Sequence, residues 1–208
     1  MRHTSPLDNL LSEVGHTLNT LFARASTQTL HSVDDAALSD SERKLSEGLM
    51  RVNHTGEICA QALYRGQAFF AKTPEIKSHL LQAADEETAH LNWCQSRLTQ
   101  LDTHTSYLNP FWYTASFSLG VIAGAAGDAW SLGFVAETEN QVSEHLKDHL
   151  QRLPEQDQTS RKIVKAMLDD ETRHAEQAMS RGGRELPKPI KMLMSFQSKV
   201  MTSSAYYL

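Results

Sequence analysis

Two short segments place a carboxylate and an imidazole three residues apart: Glu87 and His90 in "EETAHLNWC", and Glu171 and His174 in "DDETRHAEQA". On an α-helix such residues share a face, so each pair can offer an oxygen and a nitrogen donor to one point. Around Glu171 the same face carries Val164, Met167, Leu168, Ala175 and Ala178; around Glu87 it carries Leu80, Ala83, Ala84, Leu91 and Cys94. A solvated surface pair is the commoner fate of Glu and His. These helices, however, offer no other apolar face to a core, so both pairs should point inward. A buried carboxylate without a counter-charge is strongly penalised, which calls for something cationic at the same place.

Matching acids occur elsewhere. Glu139 lies among Leu132, Val135, Ala136, Val142 and Leu146 on its face and should also point inward, whereas Glu137, beside Gly133, Asn140, Gln141 and Glu144, reads as solvated. Glu57 in "RVNHTGEICAQ" has a more mixed face of Met50, Asn53, His54, Ala60, Gln61 and Tyr64, which suits a site with polar supporting groups and one accessible side. Glu57 and Glu87 are 30 residues apart, and Glu139 and Glu171 are 32 apart. Pro74 and Pro154 fall near the two midpoints. A chain that climbs for about 15 helical residues and descends again returns to the same height, at roughly 1.5 Å per residue. Each hairpin therefore sets a lone Glu against a Glu-x-x-His. Two such hairpins bring four Glu and two His to one level of a four-helix bundle, the arrangement of ferritin-like di-iron and di-manganese carboxylate proteins. Four carboxylates and two divalent ions sum to zero charge, which removes the objection to burial. Oxygen and imidazole donors suit iron or manganese, and no cysteine-rich set argues for structural zinc.

The elements that must position these groups are all helical. Spaced apolar residues over 5–26 (Leu7, Leu10, Leu11, Val14, Leu18, Leu21, Phe22) predict a short amphipathic helix, followed by a polar connection over 27–38. Ser39 and Glu42 form a capping box that opens a long helix. Pro74 ends that stretch and suits the first turn of the next helix, expected over 75–101. A third helix should run to Leu153, and a fourth from Pro154 to the terminator Gly182-Gly183. No period-2 alternation or hairpin turn suggests a strand. The expected organisation is an N-terminal helix and linker over 1–38, then a ferritin-like domain over 39–208. That domain includes a hydrophobic crossover over 103–130 and a C-terminal helical segment around "IKMLMSFQSKV".

Composition bounds the reading. The 208 residues suffice for one domain with a sizeable core, and a net charge of −5 gives no electrostatic reason to expect a nucleic-acid partner. Two cysteines, Cys59 and Cys94, make no disulfide framework and favour a reducing, cytoplasmic setting. The first twenty residues lack a continuous apolar segment and carry Asp8 and Glu13, unlike a secretory signal. The uncharged stretch 103–127 contains Pro110, hydroxyl residues and Gly120, Gly124 and Gly127, and does not read as a membrane span. Its aromatics (Phe111, Trp112, Tyr113, Phe117) admit two readings: a crossover helix packed on the bundle, or an element that dips into lipid headgroups.

The segments "LMRVNHTGEICAQALYRGQ", "DEETAHLNWC", "GFVAETENQVSEHL" and "MLDDETRHAEQA" resemble the four ligand-bearing segments of the demethoxyubiquinone hydroxylases, di-iron monooxygenases of ubiquinone biosynthesis. The resemblance runs from about residue 40 to the C-terminus, and nothing is carried over to residues 1–38. It implies two iron ions, with Glu57 and His90 on one, Glu139 and His174 on the other, and Glu87 and Glu171 bridging. It further implies a polyprenylated demethoxy-benzoquinol and O2 as reactants, and peripheral attachment at the cytoplasmic face of the cell membrane. Assembly as a homo-oligomer or within a biosynthetic complex is compatible with it. No dinucleotide fingerprint is present, so reducing equivalents are expected from outside the chain or through the quinol.

The competing readings are a ferritin-like iron-oxidising or iron-storage protein, a manganese catalase, and a helical membrane adaptor. The aromatic, uncharged crossover argues against a water-filled mineral cage. His54, His145, Tyr64 and Cys94 lie near the proposed ligands in sequence but read as packing or surface residues, without a catalytic role.

Overall fold

A computed structural model of the protein describes residues 6–22 and 37–208. Among them the regular structure consists of helices alone: α1 (Pro6–Phe22), α2 (Asp40–Ala68), α3 (Pro74–Gln100), α4 (Asn109–Ala125), α5 (Asp128–Arg152), α6 (Gln158–Ser180) and α7 (Lys188–Tyr207). The expected all-α bundle is what the chain forms. Residues 5 and 23–26 of the anticipated first helix, and most of the polar connection after it, lie outside the described residues.

Local chemistry sets the helix limits. Ser39 and Glu42 make the predicted capping box on α2. Thr73 caps α3, with Pro74 in its first turn. The fourth bundle helix begins later than expected. Pro154 starts a turn, and Asp157 is the N-cap of α6, accepting from the Ser160 amide at 2.9 Å. Asp157 also receives Arg97 Nη2 at 2.8 Å, so the start of α6 is tied to the end of α3. Gly182, at φ 100°, follows the last turn of α6 in a conformation that favours glycine.

The bundle comprises α2, α3, α5 and α6, and two apolar clusters show how they run. One joins the early part of α2 (Leu49, Met50) to the late part of α3 (Cys94, Leu98), the late part of α5 (Leu146) and the early part of α6 (Ile163, Val164, Met167). The other joins the opposite ends, through Leu63, Tyr64, Leu80, Ala83, Val135 and Ala178. Neighbours within each hairpin are therefore antiparallel, and the polar level lies between two apolar layers.

The crossover forms α4, which packs along α2 at backbone distance. A Cβ added to Gly120 would lie 2.1 Å from the Leu63 carbonyl oxygen, and one added to Gly66 would lie 2.3 Å from that of Phe117. The packed reading of 103–127 thus holds for the inner face of α4. Phe117 is not an outward anchor: it is partly buried against the Ile58, Ala62, Leu91 and Tyr113 cluster and meets Phe69 edge to face. With α3, α4 and α7 around it, α2 buries nearly every residue from Gly48 to Ala68.

Helix α7 lies across α2 and α5 and accounts for a departure from expectation. Glu137 is not solvated: α7 covers it, and it pairs with Lys191 at 3.1 Å. The far end of α7 is held by Arg51, which donates to the Tyr206 carbonyl at 2.8 Å.

Candidate metal centre

The six predicted side chains converge. Glu57, Glu87, His90 and Glu171 form one group whose donor atoms lie within 4.8 Å of one another, and Glu87, Glu139, Glu171 and His174 form a second. All are buried; Glu87 is fully enclosed, and Glu139 and Glu171 are each 1% exposed. Glu87 and Glu171 belong to both groups, the sharing expected of bridging carboxylates. Donors around a single ion lie up to about twice a metal–ligand bond apart, roughly 4–5 Å, so each group matches one ion.

Both imidazoles turn Nδ1 inward. His90 Nδ1 lies 2.9 Å from Glu87 Oε2, 3.2 Å from Glu171 Oε1 and 3.7 Å from Glu57 Oε2. His174 Nδ1 lies 3.3 Å from both Glu87 Oε1 and Glu171 Oε2. Each outer nitrogen, Nε2, meets a carboxylate on the opposite hairpin. His90 pairs with Asp170 at 3.0 Å, and His174 with Glu86 at 2.9 Å. An outer carboxylate of this kind fixes the tautomer and aim of a metal-binding imidazole and raises its basicity. Sequence reasoning overlooked Asp170 and Glu86. Their signal was present, since each is the acid immediately before the Glu of a Glu-x-x-His.

Electrostatics support a cation at this level. Burial favours neutral imidazole, but hydrogen bonds to Asp170, Glu171, Glu57 and Glu87 outweigh it and hold His90 protonated far above the usual range. His174 is likewise raised against burial, to about 11, by Glu171 and Glu87. Burial and the neighbouring carboxylates push Glu57 and Glu139 well above the usual carboxylate range. Burial opposes ionisation of Glu87 too, but hydrogen bonds from His174 and His90 bring it down to about 2. Four carboxylates and two imidazoles enclosed at one level form a site with strong demand for positive charge. Two dications would supply the charge that four carboxylates call for. Glu139 Oε1 is buried without a hydrogen-bond partner, as an oxygen meant for a metal would be. The donor set fits a pair of hard or borderline divalent metals.

The other residues near the site behave as packing groups. Tyr64 and Cys94 are fully buried in the two apolar layers, and His145 pairs with Ser198 at 2.9 Å. His54 is enclosed, and burial pushes it down to about 3. Both cysteines are free.

An apolar cavity of about 110 Å³ adjoins this level between α2, α4, α5 and α7. Its wall includes Gly56 and Thr138, the chain neighbours of Glu57 and Glu139, together with Ala60 and Val142 one turn further on. A Cβ added to Gly56 would meet open space, so this glycine leaves room in the cavity. Glu57 itself is buried, so the accessible side expected of it is not seen; the recess is lined by its neighbour Gly56.

Antiparallel hairpins, a crossover between them, and four Glu with two His enclosed at one level define a ferritin-like carboxylate bundle whose donor groups could hold metal. Residues 44–205 match the sequence profile of the family described as "Ubiquinone biosynthesis protein COQ7", and the chain belongs to that family. It is 51% identical to the 3-demethoxyubiquinol 3-hydroxylase of Nitrosococcus oceani, with 100% of this chain and 99% of that protein covered. It is 50% identical to the enzyme of that name from Coxiella burnetii (100% and 98% covered) and 49% identical to that of Acinetobacter baumannii (100% of both).

Proposed function

We propose that this protein is an O2-dependent demethoxyubiquinol hydroxylase, a monooxygenase acting on the ring of a polyprenylated demethoxy-benzoquinol in ubiquinone biosynthesis. The observation that carries this reading is the enclosed six-residue donor cluster beside a ring-sized apolar recess, in a chain about half identical along its whole length to hydroxylases of that name. A storage protein would have no use for such a recess, and the full-length relatives do not favour that alternative.

Glu57, Glu87 and His90, with Glu139, Glu171 and His174, would hold two iron ions, whose reduced form supplies two-electron reduction of O2. In the balanced reaction one oxygen atom enters a ring C–H bond and the other leaves as water, using two electrons and two protons. The chain's own contribution is positional. Asp170 and Glu86 aim the imidazoles, the two apolar layers exclude bulk water, and the recess lined by Gly56 and Thr138, the chain neighbours of Glu57 and Glu139, would take the flat ring. The decisive test is an aerobic assay of iron-loaded protein with a demethoxyquinol analogue and isotopically labelled O2. Mass detection of one labelled oxygen in the product supports the reading. Unaltered quinol in the presence of a full metal complement refutes it.

We also propose peripheral attachment to the cytoplasmic face of the cell membrane, which would deliver a water-insoluble substrate. Supporting this, α1 docks through Glu13, which pairs with Arg65 at 2.9 Å, Thr20, which donates to Gln61 at 2.8 Å, and Leu21, which packs on the Ile58, Ala62, Leu91 and Tyr113 cluster. Its apolar residues Leu11, Val14, Leu18 and Phe22 face outward. On α7, Met192, Leu193 and Phe196 are exposed as well. No helix among the described residues is long and apolar enough to cross a membrane. Phe196→Asp together with Leu193→Asp should abolish flotation with liposomes, and undiminished flotation would remove α7 as the contact.

A further inference from the structure

The six donors are enclosed, but the bundle shields them unevenly. On one side α2 buries nearly every residue from Gly48 to Ala68. On another, Glu139 is 1% exposed and α7 lies over its neighbour Glu137. None of the six lines the recess between α2, α4, α5 and α7, whose wall is largely apolar. A dication crossing such a wall would shed water with no donor in exchange, which is heavily penalised. The seam between α3 and α6 is different, because each imidazole there links the interior to the surface. His174 Nδ1 lies 3.3 Å from Glu87 and Glu171, and its Nε2 lies 2.9 Å from Glu86, whose side chain is 42% exposed. His90 Nδ1 lies 2.9 Å from Glu87, and its Nε2 lies 3.0 Å from Asp170, whose side chain is 27% exposed. Two carboxylates in reach of water thus stand one imidazole away from the buried donors. Their neighbours differ in charge. Glu86 accepts from the neutral amide of Gln82 at 2.8 Å, whereas Asp170 is paired with Arg173 at 2.8 Å.

We propose that metal ions enter through this seam: Glu86 and Asp170 capture a hydrated dication at the surface, and the imidazole each one holds swings to pass it to the donors behind. This rests on the metal-centre reading and concerns loading, not hydroxylation. Carboxylate oxygens suit a hydrated divalent ion, and along this route lost waters are replaced by oxygen and nitrogen donors at each stage. Arg173 offsets the charge of Asp170, so the Glu86–His174 side is the faster entrance. Traffic is thereby divided. Ions cross the polar seam, and the apolar recess on the α2–α5 side is left to an apolar reactant.

The test follows cobalt(II) uptake by the metal-free full-length chain in low-salt buffer, by stopped-flow absorbance, and its release to a chelator. Gln82→Lys sets an ammonium beside Glu86, and Arg173→Gln frees Asp170; both positions are exposed and neither is one of the six donors. Gln82→Lys should slow uptake and release by a similar factor, about tenfold, because a unit charge at the mouth opposes a dication moving in either direction. Arg173→Gln should speed both. Kd should barely move in either variant, which separates an entrance from a role in holding the bound ion, where Kd shifts through release. High salt should shrink these effects. Gly56→Leu, which fills the recess, should load at the native rate. Native rates in both seam variants, or slowed loading in Gly56→Leu, overturn the proposal. A native chain that binds no cobalt(II) refutes instead the metal-centre reading on which it rests.

Discussion

His174 on α6 is tied through Nε2 to Glu86 on α3 at 2.9 Å, although Glu86 directly precedes Glu87, the carboxylate that lies 3.3 Å from the same imidazole's Nδ1. Helix α3 thus presents two adjacent acids to opposite nitrogens of one ring. Asp170 and Glu171 do the same for His90.

These outer acids should matter to the metal without binding it. Glu86→Gln and Asp170→Asn keep shape and remove charge. Each is expected to weaken metal binding by about 10–100-fold. Competition against a chelator of known affinity would measure this. Native affinity in both variants would mean that the outer carboxylates merely decorate the surface.

Sharing within the cluster makes the ligands unequal. Glu171 belongs to both donor groups and Glu139 to one. Glu171→Ala should therefore abolish stoichiometric metal binding and hydroxylation together, whereas Glu139→Ala should retain one tightly held ion. Metal analysis after dialysis distinguishes the two outcomes. Equal loss in both variants would contradict the assignment of Glu171 as the bridge.

Two glycines on facing helices should respond in opposite ways. Gly120→Ala sets a methyl against the Leu63 carbonyl in tightly packed backbone, and overpacking of this kind costs about 1–3 kcal/mol. Gly56→Ala meets only open recess and should stabilise α2 by up to about 1 kcal/mol. Gly56→Leu should then fill the recess and stop turnover while leaving the metal content intact. Denaturant melts and product assays read both effects; a fully active Gly56→Leu would place the substrate elsewhere.

Acid should loosen the fold through His149. Its Nδ1–H donates to Asn53 Oδ1 at 2.7 Å, and burial, aided by His145 and Arg152, lowers it to about 4. An unfolded chain takes up this proton near pH 6.5 and the native state only near 4, so between those values the unfolded state holds more protons. Stability contributed by the neutral ring is complete above about pH 6.5 and declines as pH falls towards 4, by on the order of 3 kcal/mol. His149→Gln can still reach Asn53 and should flatten that limb of the stability curve. An unchanged slope between pH 6.5 and 4 would exclude His149 as its origin.

Much of this protein follows from helix periodicity alone. The 3.6-residue turn makes the faces of Glu87, Glu139 and Glu171 readable from their apolar neighbours, and turns near the midpoints of the two Glu-to-Glu intervals, marked by Pro74 and Pro154, bring the six candidate ligands to one height. Ser39 with Glu42 and Thr73 with Pro74 mark helix starts by chemistry within four residues. Tertiary structure decided what depends on the approach of a second helix: the reach of Glu86 and Asp170 across the bundle, the cover that α7 places over Glu137, and the outward turn of Leu11 and Leu18 on α1. It also decided that Gly56 opens a cavity while Gly120 closes a contact. A side chain's direction around its own helix is local information, but what stands opposite depends on how the helices pack against one another.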